Sequence, residues 1–421
     1  MSDNARRGKA ANPNVDAIKR QYITIPLPPR NPADSDTSDF LRDGNQEPHH
    51  IIDSSLYSGA LTFTITAATP LIIPSSDTGT HPNERESKVK KTRTITRNGK
   101  KEIVIPPSSV LGMIRSAYEL LTNSRHSILD EGKVAPERDM SPQDALNRLK
   151  SAGQFQTDRL PARSVDQLSP AERLFGWTAT SKPQSGPAAV AAKVRISAVT
   201  LSEENNDGAD SAIKTFERPL TLKPLLSPHR ASIKRGAKPA PLAFGRKVYP
   251  HFHKGAAIPQ SSMDKPKKTN FSVIDWIKPE SQFICTLHFR NLTAFELGGL
   301  LRICDTGTGY QKLGGARPLG FGSVQLSVDT ETTRISVGAQ VQEAWNSLSH
   351  SPICLGSSEL LAMTELFDKT IPSELKSAYD EFLAGKNFEA PARPKQFNQN
   401  KGSKDRGRQS NDRGGGQGHR R

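Results

Sequence analysis

Along "GALTFTITAATPLII", Leu61, Phe63, Ile65 and Ala67 alternate with threonines, the two-residue period of a strand with one buried face. The alternation returns in "AKVRISAVTL" through Val194, Ile196 and Ala198. It returns again in "QFICTLHFRNL" through Phe283, Cys285, Leu287 and Phe289, and in "GSVQLSV" through Val324, Leu326 and Val328. Between these strands the period lengthens. "EIVIPPSSVLGMIRSAYELL" predicts a short strand, a turn, and a helix capped by Ser108 or Ser109. Its buried stripe is Val110, Ile114, Ala117, Tyr118 and Leu121. "TAFELGGLLRICD" spaces Phe295, Leu297, Leu300, Leu301 and Cys304 as a helix would, a pattern that Gly298 and Gly299 weaken.

The order strand, helix, strand, long insertion, strand, helix, strand predicts an α+β fold. Its core is a modified ferredoxin-like (RRM-like) βαββαβ unit, an arrangement common among RNA-recognition domains. The stacking aromatics of those domains are missing, because Phe63 and Phe289 fall in apolar registers. RNA held here would be gripped by loops and backbone.

Around this core (residues 56–335) the pattern predicts an extended N-terminal segment, 1–55, in which "YITIPLP" suits an edge strand because its prolines forbid a central one. Two basic insertions interrupt the core, at 75–101 and 218–263, the first with a hairpin turn at Asn98-Gly99. A polar connection from Thr122 to Pro170 ends in "SPAERLFGWT", where Trp177 serves either as a core anchor or as a stacking surface. Three amphipathic helical segments fill 336–385, and an Arg/Gly-rich tail, 386–421, has the composition of a disordered segment.

Charge narrows the class of partner. The net charge of +15 points to a polyanion, and its distribution sharpens the point. From Arg218 to Met263 there is no Asp or Glu, while nine Lys/Arg, Arg246 and Lys247 among them, fall in the same window. Arg85 to Lys101 holds eight Lys/Arg against Glu86, and Pro391 to Arg421 holds nine against Asp405 and Asp412. A solvated face mixes both signs, so these blocks favour nucleic acid. No apolar run is long enough for a membrane span and no leader opens the chain, so a cytoplasmic protein without a membrane partner is expected. Cys285, Cys304 and Cys354 lack paired spacing, and the first two sit on apolar faces where packing is their role. His251 and His253 in "YPHFHKG" have metal-ligand spacing but no evident third ligand nearby, so phosphate or base contacts come first and a metal site second.

"KLGGARPLGFGSVQLSV" sets Gly314, Gly315, Gly320 and Gly322 around Arg317. A nucleotide loop leaves a strand and opens a helix; here the order is reversed and no Gly-Lys-Ser/Thr is present. What remains is a glycine loop that lets backbone N–H groups approach phosphates, with Lys312 and Arg317 as cations. Ser108, Ser109 and the helix N-terminus form a second candidate phosphate seat, with Arg115 one turn on. Helix capping for the serines and a surface ion pair for the arginines stay open beside it.

These stretches resemble the CRISPR-associated RAMP superfamily. "VIPPSSVLGMIRSAYELL" is similar to its first helix and "KLGGARPLGFGSVQLSV" to its glycine-rich loop and last strand. "TPLII", "AERLFGWT", "GRKVYPHF" and "FRNLTAFELGGLL" follow in the matching order. The resemblance spans about residues 20–330 and is strongest to the backbone subunits of type III effectors. It implies a guide-RNA-binding subunit with guide RNA, target RNA and other effector subunits as partners and no small-molecule cofactor. It also implies that the loop and helix start lie against guide phosphates. Some members carry an aspartate after the first strand that cuts target RNA with Mg2+ or another divalent cation. Asp77 in "PLIIPSSDTGTHP" stands at that position, where an Asx-turn is its other reading. Two alternatives remain: a guide-processing endoribonuclease using histidine, and a general RNA chaperone binding through its tail.

Overall fold

A computed structural model describes residues 23–30, 38–46, 50–81, 84–127, 157–179, 186–197, 199–202, 209–222, 231–234, 243–251, 271–317, 320–348 and 352–385. In chain order they form β1 (Ile23–Pro26), β2 (Tyr57–Ala67), β3 (Pro74–His81), β4 (Glu84–Thr92), β5 (Thr94–Arg97) and β6 (Lys100–Ile105). Helices α1 (Pro107–Leu121) and α2 (Pro170–Phe175) follow. Next come β7 (Trp177–Thr178), β8 (Ala189–Val190), β9 (Val194–Ile196) and β10 (Val199–Leu201). Then come α3 (Ala209–Ala212), β11 (Ile213–Leu222), β12 (Ala231–Lys234), β13 (Ala243–Val248), β14 (Phe271–Ile277) and β15 (Gln282–Leu292). The chain continues through α4 (Ala294–Cys304), β16 (Gln311–Lys312), β17 (Ser323–Val328) and β18 (Arg334–Val337). Helices α5 (Gly338–Asn346), α6 (Ser357–Thr370) and α7 (Ser373–Ala384) end the described part.

The fold is mixed α+β with several sheets. The largest runs β16-β17-β2-β15-β10-β6-β5, with β18 also on β2 and β9 also on β15. At its centre Leu61 faces Leu287, Phe63 faces Cys285 and Ile65 faces Phe283, all fully buried. Each of these larger side chains contributes roughly 1.5–3 kcal/mol by leaving water. The strand expected through Val194, Ile196 and Ala198 is divided. Ile196 faces Leu287 but Thr200 faces Ile284, a slip of one residue that returns Val199 to the buried face. Ala198 lies outside the described residues.

Helix α1 starts two to three residues earlier than the sequence suggests. Pro106 is its N-cap and Pro107 its first residue, so Ser108 and Ser109 lie inside the first turn and neither makes a side-chain cap. Helix α4 forms despite its glycines. The Thr293 hydroxyl accepts the Glu296 N–H at 3.1 Å, and the Glu296 carboxylate accepts the Thr293 N–H at 3.0 Å, a capping box. The glycines have a separate reason. A Cβ on Gly298 would sit 2.1 Å from the Met363 carbonyl oxygen, and one on Gly299 would sit 2.6 Å from Phe367 and Tyr118. They let α6 lie directly on α4.

The described part of the N-terminal segment is tied to the core. Arg30 pairs with Asp43 and donates to the carbonyls of Asn123 and Asp158, while Arg125 reaches the same Asp43 at 2.8 Å. Phe40 stacks on Phe295 at 5.0 Å. Strand β1 takes the expected edge position, paired among the described strands with β13 alone, in a small sheet β1-β13-β12. The first basic insertion holds more strand than expected. β3 and β4 join β14 and β11 in a four-stranded sheet, and β5 and β6 make the hairpin at Asn98 (φ 50) and Gly99 (φ 75). No helix among the described residues is long and apolar enough to cross a membrane.

Candidate nucleic-acid interface

The glycine loop joins β16 to β17 and closes on itself. Leu313 N–H donates to the Gly322 carbonyl at 2.8 Å, and a Cβ on Gly322 (φ 75) would fall 1.9 Å from the Leu313 carbonyl oxygen. Gly315 N–H donates to Ile72 O at 2.8 Å, and Gly322 N–H to Pro70 O at 3.0 Å. Gly320 (φ 91) donates back to Arg317 O at 3.1 Å. The loop is thus a hoop around the segment after β2, with Phe321 buried against Ile72, Phe216 and Val273. This corrects the expectation of four glycines presenting N–H groups to phosphate. At Gly315, Gly320 and Gly322 the N–H is already bonded within the chain.

Lys312 is corrected as well. It is 5% exposed, and its ammonium donates to Gly320 O at 3.2 Å and Phe321 O at 3.1 Å, holding the hoop from inside. Burial, with the Arg317 charge added, brings its pKa down to about 7. Arg317 is half-buried at the loop's tip, its guanidinium 5.0 Å over the Tyr249 ring. Gly314 (φ 79) packs against Ile72, where a Cβ would meet the carbonyl oxygen at 2.5 Å.

The strand carrying Arg246 and Lys247 runs toward this loop. Arg246 is 3% exposed and donates to Glu119 at 2.9 Å and to the carbonyls of Ser124 and Arg125 at the end of α1. It closes the helix C-terminus and does not face solvent, which corrects its expected phosphate contact. Arg115 reaches the other oxygen of Glu119, also at 2.9 Å, so the ion-pair alternative describes it. Lys247 is half-buried, and burial lowers its pKa. Past it, Tyr249 lies under Arg317, while His251 is buried with Nδ1 2.9 Å from the Ser323 hydroxyl and its ring on Phe382. His253 lies outside the described residues.

Ser108 is exposed and Ser109 half-exposed at the N-terminus of α1, about 16 Å along the axis from Glu119. Asp77 does not sit in a loop. It lies in β3, where the pairing with β4 shifts register between Pro74 and Thr78; its side chain is outside the described residues. Among the described residues no group of three or more His, Cys, Asp or Glu could hold a metal.

A family model for the RAMP superfamily matches residues 64–325. This chain belongs to the RAMP superfamily. The match takes in the end of β2, all of α1, the hoop and the first half of β17. No curated protein matches this RAMP protein. Among solved structures it is similar to a chain of a "Type IV-B CRISPR Complex", at 16% identity over 65% of this chain and 92% of that one, TM-score 0.31. It is also similar to Csc2 of Thermofilum pendens, at 14% identity over 81% and 90%, TM-score 0.34.

Two features of this RAMP protein escaped the sequence reading. Tyr249, the platform beneath Arg317, is separated from it by 68 positions and carries no local signal. Glu119 was legible in part, since Arg115 and Glu119 stand at the four-residue spacing of a helical ion pair. Trp177 is the core anchor, its Nε1 donating to Ala162 O at 3.0 Å.

Proposed function

We propose that this RAMP protein is an RNA-binding subunit of a CRISPR ribonucleoprotein effector, of the backbone kind found in type III complexes. The observation that carries the reading is the family match over residues 64–325. The strand order supports a ferredoxin-like core: β17, β2, β15 and β10 lie side by side, fourth, first, third and second of the core strands, with α1 and α4 in the crossovers. Guide RNA is held by its phosphates. The half-buried Arg317 on its Tyr249 platform, the half-buried Lys247, and the exposed Ser108 at the start of α1 are the groups assigned to them. The buried Lys312, Arg246 and Glu119 support that surface from beneath.

Target cleavage is the further part of the proposal. Magnesium needs one or two carboxylates when RNA phosphates and water fill its other positions, and a resident cage is then unnecessary. Asp77 is the carboxylate for that role, at a register shift of the kind that strands place beside active sites.

Purification with a discrete short RNA, followed by affinity measured against salt, tests the binding. Log K falls with log salt at a slope of about −0.7 per phosphate contacted on a single strand. A salt-insensitive affinity, or preference for one sequence without a paired guide, rejects it. Asp77→Ala in the reconstituted guide complex, assayed with magnesium and with chelator, tests cleavage. Undiminished cutting by the variant rejects Asp77.

A further inference from the structure

The family match ends at residue 325, so the C-terminal helices lie beyond the stretch that identifies the chain. One of them, α7, nevertheless touches both ends of the hoop. At the entry, the Tyr310 N–H donates to the Leu383 carbonyl at 2.9 Å. Beside it the buried Gln311 amide donates to the Tyr379 hydroxyl, and Gln311 is the residue before Lys312. Gly309 permits the approach: a Cβ there would stand 2.8 Å from the Leu383 Cβ. At the exit the contact runs through a histidine. Phe382 packs on the His251 ring at 4.8 Å, and His251 Nδ1 is 2.9 Å from the hydroxyl of Ser323, where β17 begins.

The platform under Arg317 hangs on the same histidine. Tyr249 stands two residues before His251 on the stretch that leaves β13, and the His251 ring also lies 5.8 Å from that of Tyr310. Entry, exit and platform thus converge on the Tyr379–Leu383 edge of α7. That edge is itself fixed. Tyr379 is buried with the Arg302 guanidinium of α4 5.5 Å over its ring, and Arg302 also pairs with Asp380. Apolar packing alone fixes a distance, whereas these hydrogen bonds fix direction at the residues flanking the hoop. We infer that α7 is a working part of the RNA grip, in which Tyr379, Phe382 and Leu383, linked through His251, are positioning residues for Arg317. A bidentate guanidinium–phosphate pair tolerates little misplacement, which makes Arg317 the contact most sensitive to its support. This role, which rests on the RNA-binding reading, belongs to a helix outside the family match.

To test this, the full chain is titrated with a single-stranded RNA oligonucleotide over a salt series, with urea midpoints confirming that each variant is folded. Arg317→Ala lowers the salt slope by about 0.7, the share of one phosphate. Phe382→Leu and His251→Phe lower it equally and weaken binding about tenfold, the loss of one charge-assisted pair. Neither weakens binding further when Arg317→Ala is already present. His251→Asn, which keeps a polar atom where Nδ1 stood, recovers most of the affinity. If Phe382→Leu does not fold, Tyr379→Phe, which deletes a single oxygen, gives the same pattern at smaller amplitude. A merely structural role leaves the slope of the wild type and adds its loss to that of Arg317→Ala, and either result overturns the inference. So does wild-type affinity in folded His251→Phe and Phe382→Leu. A wild type that binds no RNA rejects the RNA-binding reading and this role together, whereas RNA binding with an unchanged slope in these variants rejects the role alone.

Discussion

Arg246 and Glu119 meet at 2.9 Å in the interior, tying strand β13 to the last turn of α1. Glu119 is fully buried and also accepts from Arg115 and Ser127. Removing Arg246 takes from the buried Glu119 one of the two arginines that balance its charge. Arg246→Met should therefore destabilise by about 3–5 kcal/mol in urea, and Glu119→Gln/Arg246→Met should recover part of the loss. A wild-type midpoint for the single variant would return Arg246 to the surface role that its sequence suggested.

Two glycines of the hoop, Gly322 and Gly315, should respond differently to an added methyl group. Gly322→Ala meets both a left-handed backbone and the Leu313 oxygen, so a loss of about 3 kcal/mol or more is expected in thermal melts. Gly315→Ala has its nearest neighbour at 3.5 Å and should stay within about 0.5 kcal/mol of wild type. The Gly315 variant can then be used in RNA titrations, where weaker binding with an unchanged melt would show that the ligand approaches this backbone.

Lys312 gives stability a pH dependence of definite sign. Its folded pKa, about 7, lies below the ordinary lysine value of 10.5, so between them the unfolded chain binds more protons here. Its contribution therefore makes the fold more stable as pH rises from about 7 toward about 10.5, and charging it below 7 weakens the fold. Lys312→Met should flatten that rise by a few kcal/mol, on the order set by burial of one ammonium. Urea midpoints of both proteins across the window check this; parallel curves would mean that the ammonium is hydrated.

Gly298→Ala improves helix propensity by about 1 kcal/mol, yet it should destabilise. The new methyl would stand 2.1 Å from Met363 O and force α6 away from α4. Hydrogen exchange should rise first along Leu360–Phe367; uniform protection would contradict so tight a contact.

The strands and helices of the core were legible because each carries its own period: Phe283, Cys285, Leu287 and Phe289 all turn inward as their alternation says. The hairpin at Asn98-Gly99 was legible for a similar reason, since only those residue types enter the left-handed region cheaply. What the pattern could not show is who pays attention to a charge. Arg246 and Lys312 look like any basic surface residues in the sequence, and their burial depends on Glu119 and on the carbonyls of Gly320 and Phe321 folding around them. Gly298 and Gly299 weakened a helix in the reading, because the helix that needs their bareness lies more than sixty residues downstream. Within the basic insertion, β12 and β13 pair with each other, but β13 also needs β1 and β11 needs β14, partners that lie outside it.

The placement of β2 at the middle of the large sheet has a consequence during synthesis. Its partners β15, β17 and β18 all leave the ribosome much later, and Thr62 waits for Thr333 across 271 positions. Until then β2 has an apolar face and unpaired edges, with Leu61, Phe63 and Ile65 exposed on a chain too short to cover them. The centre of the sheet is therefore completed late, after β15, β17 and β18 have been made. A nascent chain halted before β15 is a species that a chaperone must hold, and premature termination should yield aggregate rather than a smaller folded domain.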